Sequence, residues 1–277
     1  MAGRASSLAS FVVKLSVAAL IAFGTVTLAM SFSQADLLFP THAVPPAGPL
    51  PSGAERLEMK TAEGETLHGV HMTPTGQGAG SEALIIGFGG NAWNGQDVAT
   101  ELSRLFPAAD IVAFHYRGYR PSTGEPSAKA LIEDAPLVYD AAVKKIPGKR
   151  VVAVGFSIGS AVAANLVGHR TIDGLILVTP FDSLKAVAAD LYPWLPVGLF
   201  FQHEMDAATA LNDSSVPVAV IAGDRDEIVL PARTDALRDK VGKLVFDRTI
   251  LDAGHNDIYG RPEFVEGMHG ALAAVTQ

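Results

Sequence analysis

The chain has no cysteine among its 277 residues, which excludes disulfides, thiolate zinc sites and a cysteine nucleophile. It has no positive excess either: 21 basic residues face 29 acidic ones, a net charge of -8, so the electrostatic footprint of a nucleic-acid binder is missing. No internal repeat is visible, and no linker-like break follows residue 55. One large domain is therefore the better fit for this length, and 48% hydrophobic residues supply its core.

Charge is nearly missing from residues 1–35, where Arg4 and Lys14 are the only charged side chains and Leu15 to Phe32 is an uncharged, mostly apolar run. That length falls between a long signal-peptide core and a short membrane span. Ser33-Gln34-Ala35 suits a signal peptidase cut, and an uncleaved amino-terminal membrane anchor is the equal alternative. Because both positive charges lie on the amino-terminal side, Asp36 onward is expected outside the cytoplasm, held at the membrane or exported after cleavage. Residues 36–277 keep 19 of the basic and all 29 acidic residues, a net of -10, so any membrane hold is expected from the amino-terminal segment and little from anionic lipid.

Five of the 17 prolines fall in residues 40–53, and residues 36–55 read as an extended linker ahead of a domain over 56–277. Arg56 to Lys60 and Thr66 to Met72 predict an antiparallel hairpin at a sheet edge. His68 and His71, three apart on a strand, then face opposite sides, which argues against a metal pair. After a Gly-rich loop at 76–80, buried strands are predicted at 83–88, 111–115, 151–156, 175–179, 218–222 and 245–251. Helical patterns lie between them near 96–106, 127–146, 158–169, 231–240 and 262–275. This alternation argues for an α/β fold with a mostly parallel sheet covered by helices on both faces. Right-handed crossovers place the loops after each strand along one edge.

Within that frame, the run Val151 to Phe156 ends at Ser157, which Gly155 and Gly159 flank in the pattern Gly-x-Ser-x-Gly. A buried strand, a sharp turn and an apolar helix from Ile158 make the context of a nucleophile elbow, in which Ser157 Oγ projects above the sheet edge. A serine hydroxyl needs a base to take its proton and an acid to orient that base. His255 follows the last strand beside Gly254. Asp226 is the favoured acid in the loop after the preceding strand, with Asp224 as the alternative, a turn residue or an ion-pair partner of Arg225. Two backbone donors suit a developing oxyanion: the N–H of Ile158, directly after the serine, and the N–H of Asn91, in the glycine-flanked loop 89–94 after the first long strand.

Taken together these residues resemble the α/β-hydrolase superfamily, in particular the branch of small, often membrane-anchored serine hydrolases termed serine aminopeptidase-like, which includes eukaryotic protein depalmitoylases. The resemblance runs from about Leu37 to Ala274. It is carried by Leu37-Leu38-Phe39-Pro40, Gly90-Asn91-Ala92, Tyr116-Arg117-Gly118-Tyr119, Gly124-Glu125-Pro126-Ser127, the Ser157 elbow, Gly223-x-x-Asp226 and Ala253-Gly254-His255-Asn256-Asp257. It implies Asp226 as the acid and His255 as the base. The chain departs from the family pattern in having Gly89-Gly90 where His-Gly is usual, and His115 where an Asp commonly precedes Tyr-Arg-Gly-Tyr. His115 reads as a core or loop histidine.

Residues 183–212 interrupt the alternation and predict a small helical cap over the serine, with Tyr192 to Phe201 its most apolar part, suited to an acyl pocket, to lipid or to packing on the body. The expectation is a serine hydrolase using no metal or organic cofactor, acting on an ester or thioester of a small acyl substrate, lipids and lipidated molecules included. A peptidase or amidase, or a non-catalytic binding protein of the same fold, are the alternatives.

Overall fold

Residues 2–77 and 82–277 are described by the computed structural model of the chain. Residues 78–80 of the expected Gly-rich loop lie outside the described residues. The chain opens with helix α1 (Ala2–Phe32) and the short α2 (Gln34–Leu38). The hairpin follows as β1 (Ala54–Lys60) and β2 (Thr66–Met72), paired antiparallel. Next come β3 (Ala83–Phe88), α3 (Gly95–Leu105), β4 (Asp110–Phe114), α4 (Ala128–Lys145), β5 (Arg150–Phe156), α5 (Ile158–Leu166) and β6 (Gly174–Val178). Three short helices interrupt the alternation: α6 (Leu184–Leu191), α7 (Val197–Phe200) and α8 (Ala207–Leu211). The chain closes with β7 (Val218–Gly223), α9 (Pro231–Arg238), β8 (Leu244–Ile250) and α10 (Pro262–Val275).

The strands form one eight-stranded sheet in the order β1-β2-β4-β3-β5-β6-β7-β8, parallel from β4 to β8. Every residue of β3, β6 and β7 is buried, because helices cover both faces and leave no room for the polar alternation of a half-exposed strand. The two-residue period still decides which core each side chain enters. Leu84, Ile86 and Phe88 of β3 join α4, α5 and α8 on one face, while Ala83 and Ile85 join α3 and α10 on the other. The edge strands β1 and β8 are the polar ones, carrying Glu55, Arg56, Glu58 and Lys60, or Asp247 and Arg248, where an unpaired strand needs protection from further pairing.

Strand β3 lies between β4 and β5, so the chain runs outward from β3 to β4 and then crosses back to β5. The loops leaving β3 and β5 therefore diverge to opposite faces at a switch of strand order, where α/β sheets open a crevice. They carry Asn91 and Ser157.

Residues 36–55 differ from the extended spacer the prolines predict. Gln34–Leu38 is helical, Phe39 is buried, and the stretch beyond lies against the start of α3. Asn94 Nδ2 donates to the Pro45 carbonyl at 3.1 Å, and Gln96 Nε2 donates to the Gly48 and Pro49 carbonyls at 3.0 and 3.2 Å. Proline-rich backbone has carbonyls without matching N–H groups, and side-chain amides supply the donors that it cannot find in a sheet.

Candidate active site

The elbow is strained and the two glycines are what permit it. Ser157 has φ 50° and ψ -117°, left-handed territory that a side-chain-bearing residue seldom enters. A Cβ at Gly155 would lie 2.3 Å from the Gly159 carbonyl oxygen, and one at Gly159 would lie 2.2 Å from that of Phe88. Either contact is well inside van der Waals distance, so the turn closes only around hydrogen at both positions. The Ser157 N–H donates to the Val178 carbonyl at 2.9 Å, which fastens the turn to the end of β6.

Above the elbow lie the two loops that follow β7 and β8. Ser157 Oγ is 2.9 Å from His255 Nε2, and His255 Nδ1 is 2.7 Å from Asp226 Oδ2. The other carboxylate oxygen of Asp226 accepts the N–H groups of Ile228 at 3.0 Å and Val229 at 2.7 Å, which fixes the acid's orientation. His255 and Asp226 are buried, so their contact is largely shielded from water. The two loops are also joined through backbone: Asp224 N–H donates to the Ile250 carbonyl, and Arg225 N–H to that of Ala253. Gly223 allows this approach, since a Cβ there would stand 2.2 Å from the Ala253 oxygen.

Asp224, the alternative acid, is exposed, and the His255 ring bonds Asp226 in its place. Its expected partner Arg225 pairs instead with Asp252, across the same two loops.

The loop after β3 is held from beneath by two tyrosines. Tyr116 Oη donates to the Gly89 carbonyl at 2.9 Å and Tyr119 Oη to the Asn91 carbonyl at 2.7 Å. Burial pushes both phenols upward from the ordinary tyrosine range, so both stay protonated as donors. The Gly90 carbonyl accepts from Trp93 N–H at 3.2 Å. A trans peptide points its N–H opposite to its carbonyl, so this bond turns the Asn91 N–H away from the turn. Ile158 is the first residue of α5, a position whose N–H has no acceptor within the helix.

Asn91 and Ser157 share the wall of a cleft of about 560 Å³. Trp93, Ile228 and Tyr259 line it too, and the sequence assigns a role to none of them. Trp93 belongs to the glycine-flanked loop 89–94, whereas Tyr259 enters through the short turn 258–260 with no motif to mark it. Burial raises the Tyr259 phenol to about 12, and it stays neutral.

Three further sequence readings are placed outside this cleft. His115 is buried, accepts the Gly95 N–H on Nδ1 at 3.3 Å, and has its pKa lowered by burial to about 4. His71 bonds Asp110 at 2.7 Å while His68 lies beside Glu58, so the two histidines face apart. The segment 183–212 forms α6 to α8, and Tyr192 to Phe201 line a groove with α1 and α2, not the cleft at Ser157.

A family model described as the alpha/beta hydrolase fold matches residues 84–201. An uncharacterised protein of Mycobacterium tuberculosis is 30% identical over 260 residues, covering 91% of this chain and 89% of that protein. The chain belongs to the α/β-hydrolase family. Protein bem46 of Schizosaccharomyces pombe is 28% identical to this hydrolase over 249 residues, 83% of each chain. Lysophosphatidylserine lipase ABHD12 of Danio rerio is 27% identical over 217 residues, 66% of this hydrolase and 56% of the fish protein. Among solved structures, the Pyrococcus furiosus esterase Pf2001 superposes with a TM-score of 0.67 at 18% identity, covering 84% of this chain and 96% of that one.

Proposed function

We propose that this α/β hydrolase cleaves an acyl ester or thioester through Ser157, His255 and Asp226. The observation that carries the reading is His255, whose two ring nitrogens lie 2.9 Å from the serine hydroxyl and 2.7 Å from a buried carboxylate. His255 Nε2 takes the hydroxyl proton as Ser157 Oγ attacks the carbonyl carbon, and Asp226 holds the ring by accepting the Nδ1 proton. The N–H groups of Asn91 and Ile158 receive the oxyanion. His255 then returns its proton to the departing alcohol or thiol, and water repeats the sequence on the acyl-enzyme.

Two points favour an ester or thioester over a peptide. The cleft wall, among the described residues, presents no free carboxylate to an ammonium terminus: its polar members are Asn91, Ser157, His255, Asn256 and Tyr259. The relative named as a lysophosphatidylserine lipase acts, by that name, on a lipid, which supports an acyl substrate here.

Residues 1–35 are the address of the protein and 56–277 its hydrolase domain. Ala9–Phe32 is long and apolar enough to cross a membrane. With Arg4 ahead of it and Lys14 in its second turn, both toward its amino-terminal end, it holds the domain outside the cytoplasm.

The test is labelling of the full chain with a fluorophosphonate probe beside Ser157→Ala, followed by a panel of acyl esters, acyl thioesters and peptides. Labelling that vanishes with Ser157, together with turnover of esters or thioesters, is expected. Equal labelling of both proteins would remove the serine from its role, and preferential peptide turnover would replace the substrate class.

A further inference from the structure

Helix α1 does not stand clear of the hydrolase body. The Phe23 and Trp194 rings meet edge to face at 6.5 Å between centroids. Eleven residues further on, Gln34 Nε2 donates to the Phe200 carbonyl at 2.8 Å and Gln34 Oε1 accepts the Gln202 N–H at 3.0 Å. The segment from Trp194 to Gln202 therefore follows the helix for roughly 16 Å, at 1.5 Å per residue. Between the two, Met30, Gln34 and Leu38 face Tyr192, Leu195 and Phe201 across an apolar groove of about 500 Å³.

This docking fixes a height. The stretch Ala9–Phe32, apolar but for Lys14, whose long side chain can reach up to the headgroups, has 24 residues, about 36 Å of helix against a hydrocarbon core of about 30 Å. Centred in the bilayer, it puts Phe32 just beyond the core and Phe23 about 10 Å inside it. Trp194 touches Phe23 and enters with it. The neighbouring surface is apolar in the same way: Leu199 is 80% exposed and Trp194 53%, with Leu191 and Phe200 beside them. The nearest carboxylate of α6, Asp190, is turned back to the body by Arg233 at 3.2 Å.

From this the geometry points to a second membrane contact: residues 191–200 lie in the leaflet on the Asp36 side of the bilayer, beside α1, with Trp194 among the acyl chains and Leu199 at their boundary with the headgroups. The inference rests on the anchor reading of α1 above. The occupant of the face is the bilayer's own acyl chains, because the stretch is uncharged while residues 36–277 carry a net -10 that anionic headgroups would repel. It fits an interfacial helical segment that sinks its apolar side 5–10 Å below the headgroups.

The chain has no cysteine, so one introduced thiol accepts a nitroxide label at one place. Full-length Leu199→Cys, Ala19→Cys and Lys129→Cys, reconstituted in phosphatidylcholine vesicles and checked for folding by circular dichroism, report depth by the balance of oxygen and nickel-chelate collisions. Residue 129, whose side chain is 82% exposed on α4, is the aqueous reference. The expected result is that the labels at 19 and 199 both favour oxygen, with 199 the shallower and unmoved by high salt. A label at 199 as open to nickel as that at 129, with 19 still in lipid, overturns the inference and leaves the anchor standing. Labels at 19 and 199 both open to nickel overturn the anchor reading and this contact with it.

Discussion

Ser157 Oγ and His255 Nε2 lie 2.9 Å apart although 98 residues separate them in the chain. The contact exists because β5, β6, β7 and β8 are consecutive parallel neighbours, which brings the loops after them to one edge. The elbow then aims the serine, and the imidazole is aimed by a carboxylate of the neighbouring loop, itself held by two N–H groups.

The choice between the two candidate acids is open to a direct comparison. Asp226→Asn keeps the shape but loses the acceptor that selects the imidazole tautomer, and is expected to lower turnover of an ester by on the order of a thousandfold. Asp224→Asn alters an exposed side chain and should stay within about twofold. Equal losses in steady-state rate would remove Asp226 from its assigned place.

Tyr119→Phe leaves the Asn91 carbonyl without its donor while keeping the ring. About 1 to 1.5 kcal/mol of positioning is expected to be lost, which reads as a roughly tenfold fall in kcat with KM little changed. Tyr116→Phe should act in the same direction through Gly89. A change confined to the melting temperature, with kcat intact, would make the tyrosines structural only.

Gly159→Ala tests the elbow itself. Its new Cβ would meet the Phe88 and Gly89 carbonyl oxygens at 2.2 and 2.5 Å, and backbone cannot move aside as a flexible side chain can. A loss of about 3 kcal/mol or more in urea denaturation is expected. Gly260→Ala, with nothing within 4 Å, is the neutral control.

His115 makes stability depend on pH. Its folded pKa, about 4, lies below the ordinary 6.5, so between these values the unfolded chain takes up a proton that the folded chain refuses. Stability from this group is complete above about pH 6.5 and is lost as pH falls toward 4, by about 2 kcal/mol between pH 7 and pH 5. His115→Gln should flatten the urea midpoint over that range relative to the parent protein. An unchanged slope would show that another group carries the dependence.

The segment Tyr192 to Phe201 shows how far the sequence could be followed. Its apolar character was plain, and so was its place between β6 and β7, yet three partners were open to it: an acyl pocket, lipid or the body. The structure sets it against Thr27 to Leu38 at the other end of the chain. No periodicity encodes that meeting. The tyrosines of Tyr116-Arg117-Gly118-Tyr119 are a similar case. The motif stood out, but its two hydroxyls find their carbonyls only because β4 and β3 are neighbours.

What the sequence determined by itself was local: the buried strands, the glycine-flanked serine, and an acid and a histidine each following a strand in the order that the sheet requires. These follow from backbone sterics and from the burial of short apolar runs, which a few adjacent residues settle. The tertiary structure alone decided what walls the cleft, where the proline-rich stretch finds its donors, and that α1 lies along the segment after α6. Those are contacts between side chains far apart in the chain, and strand order and packing choose them.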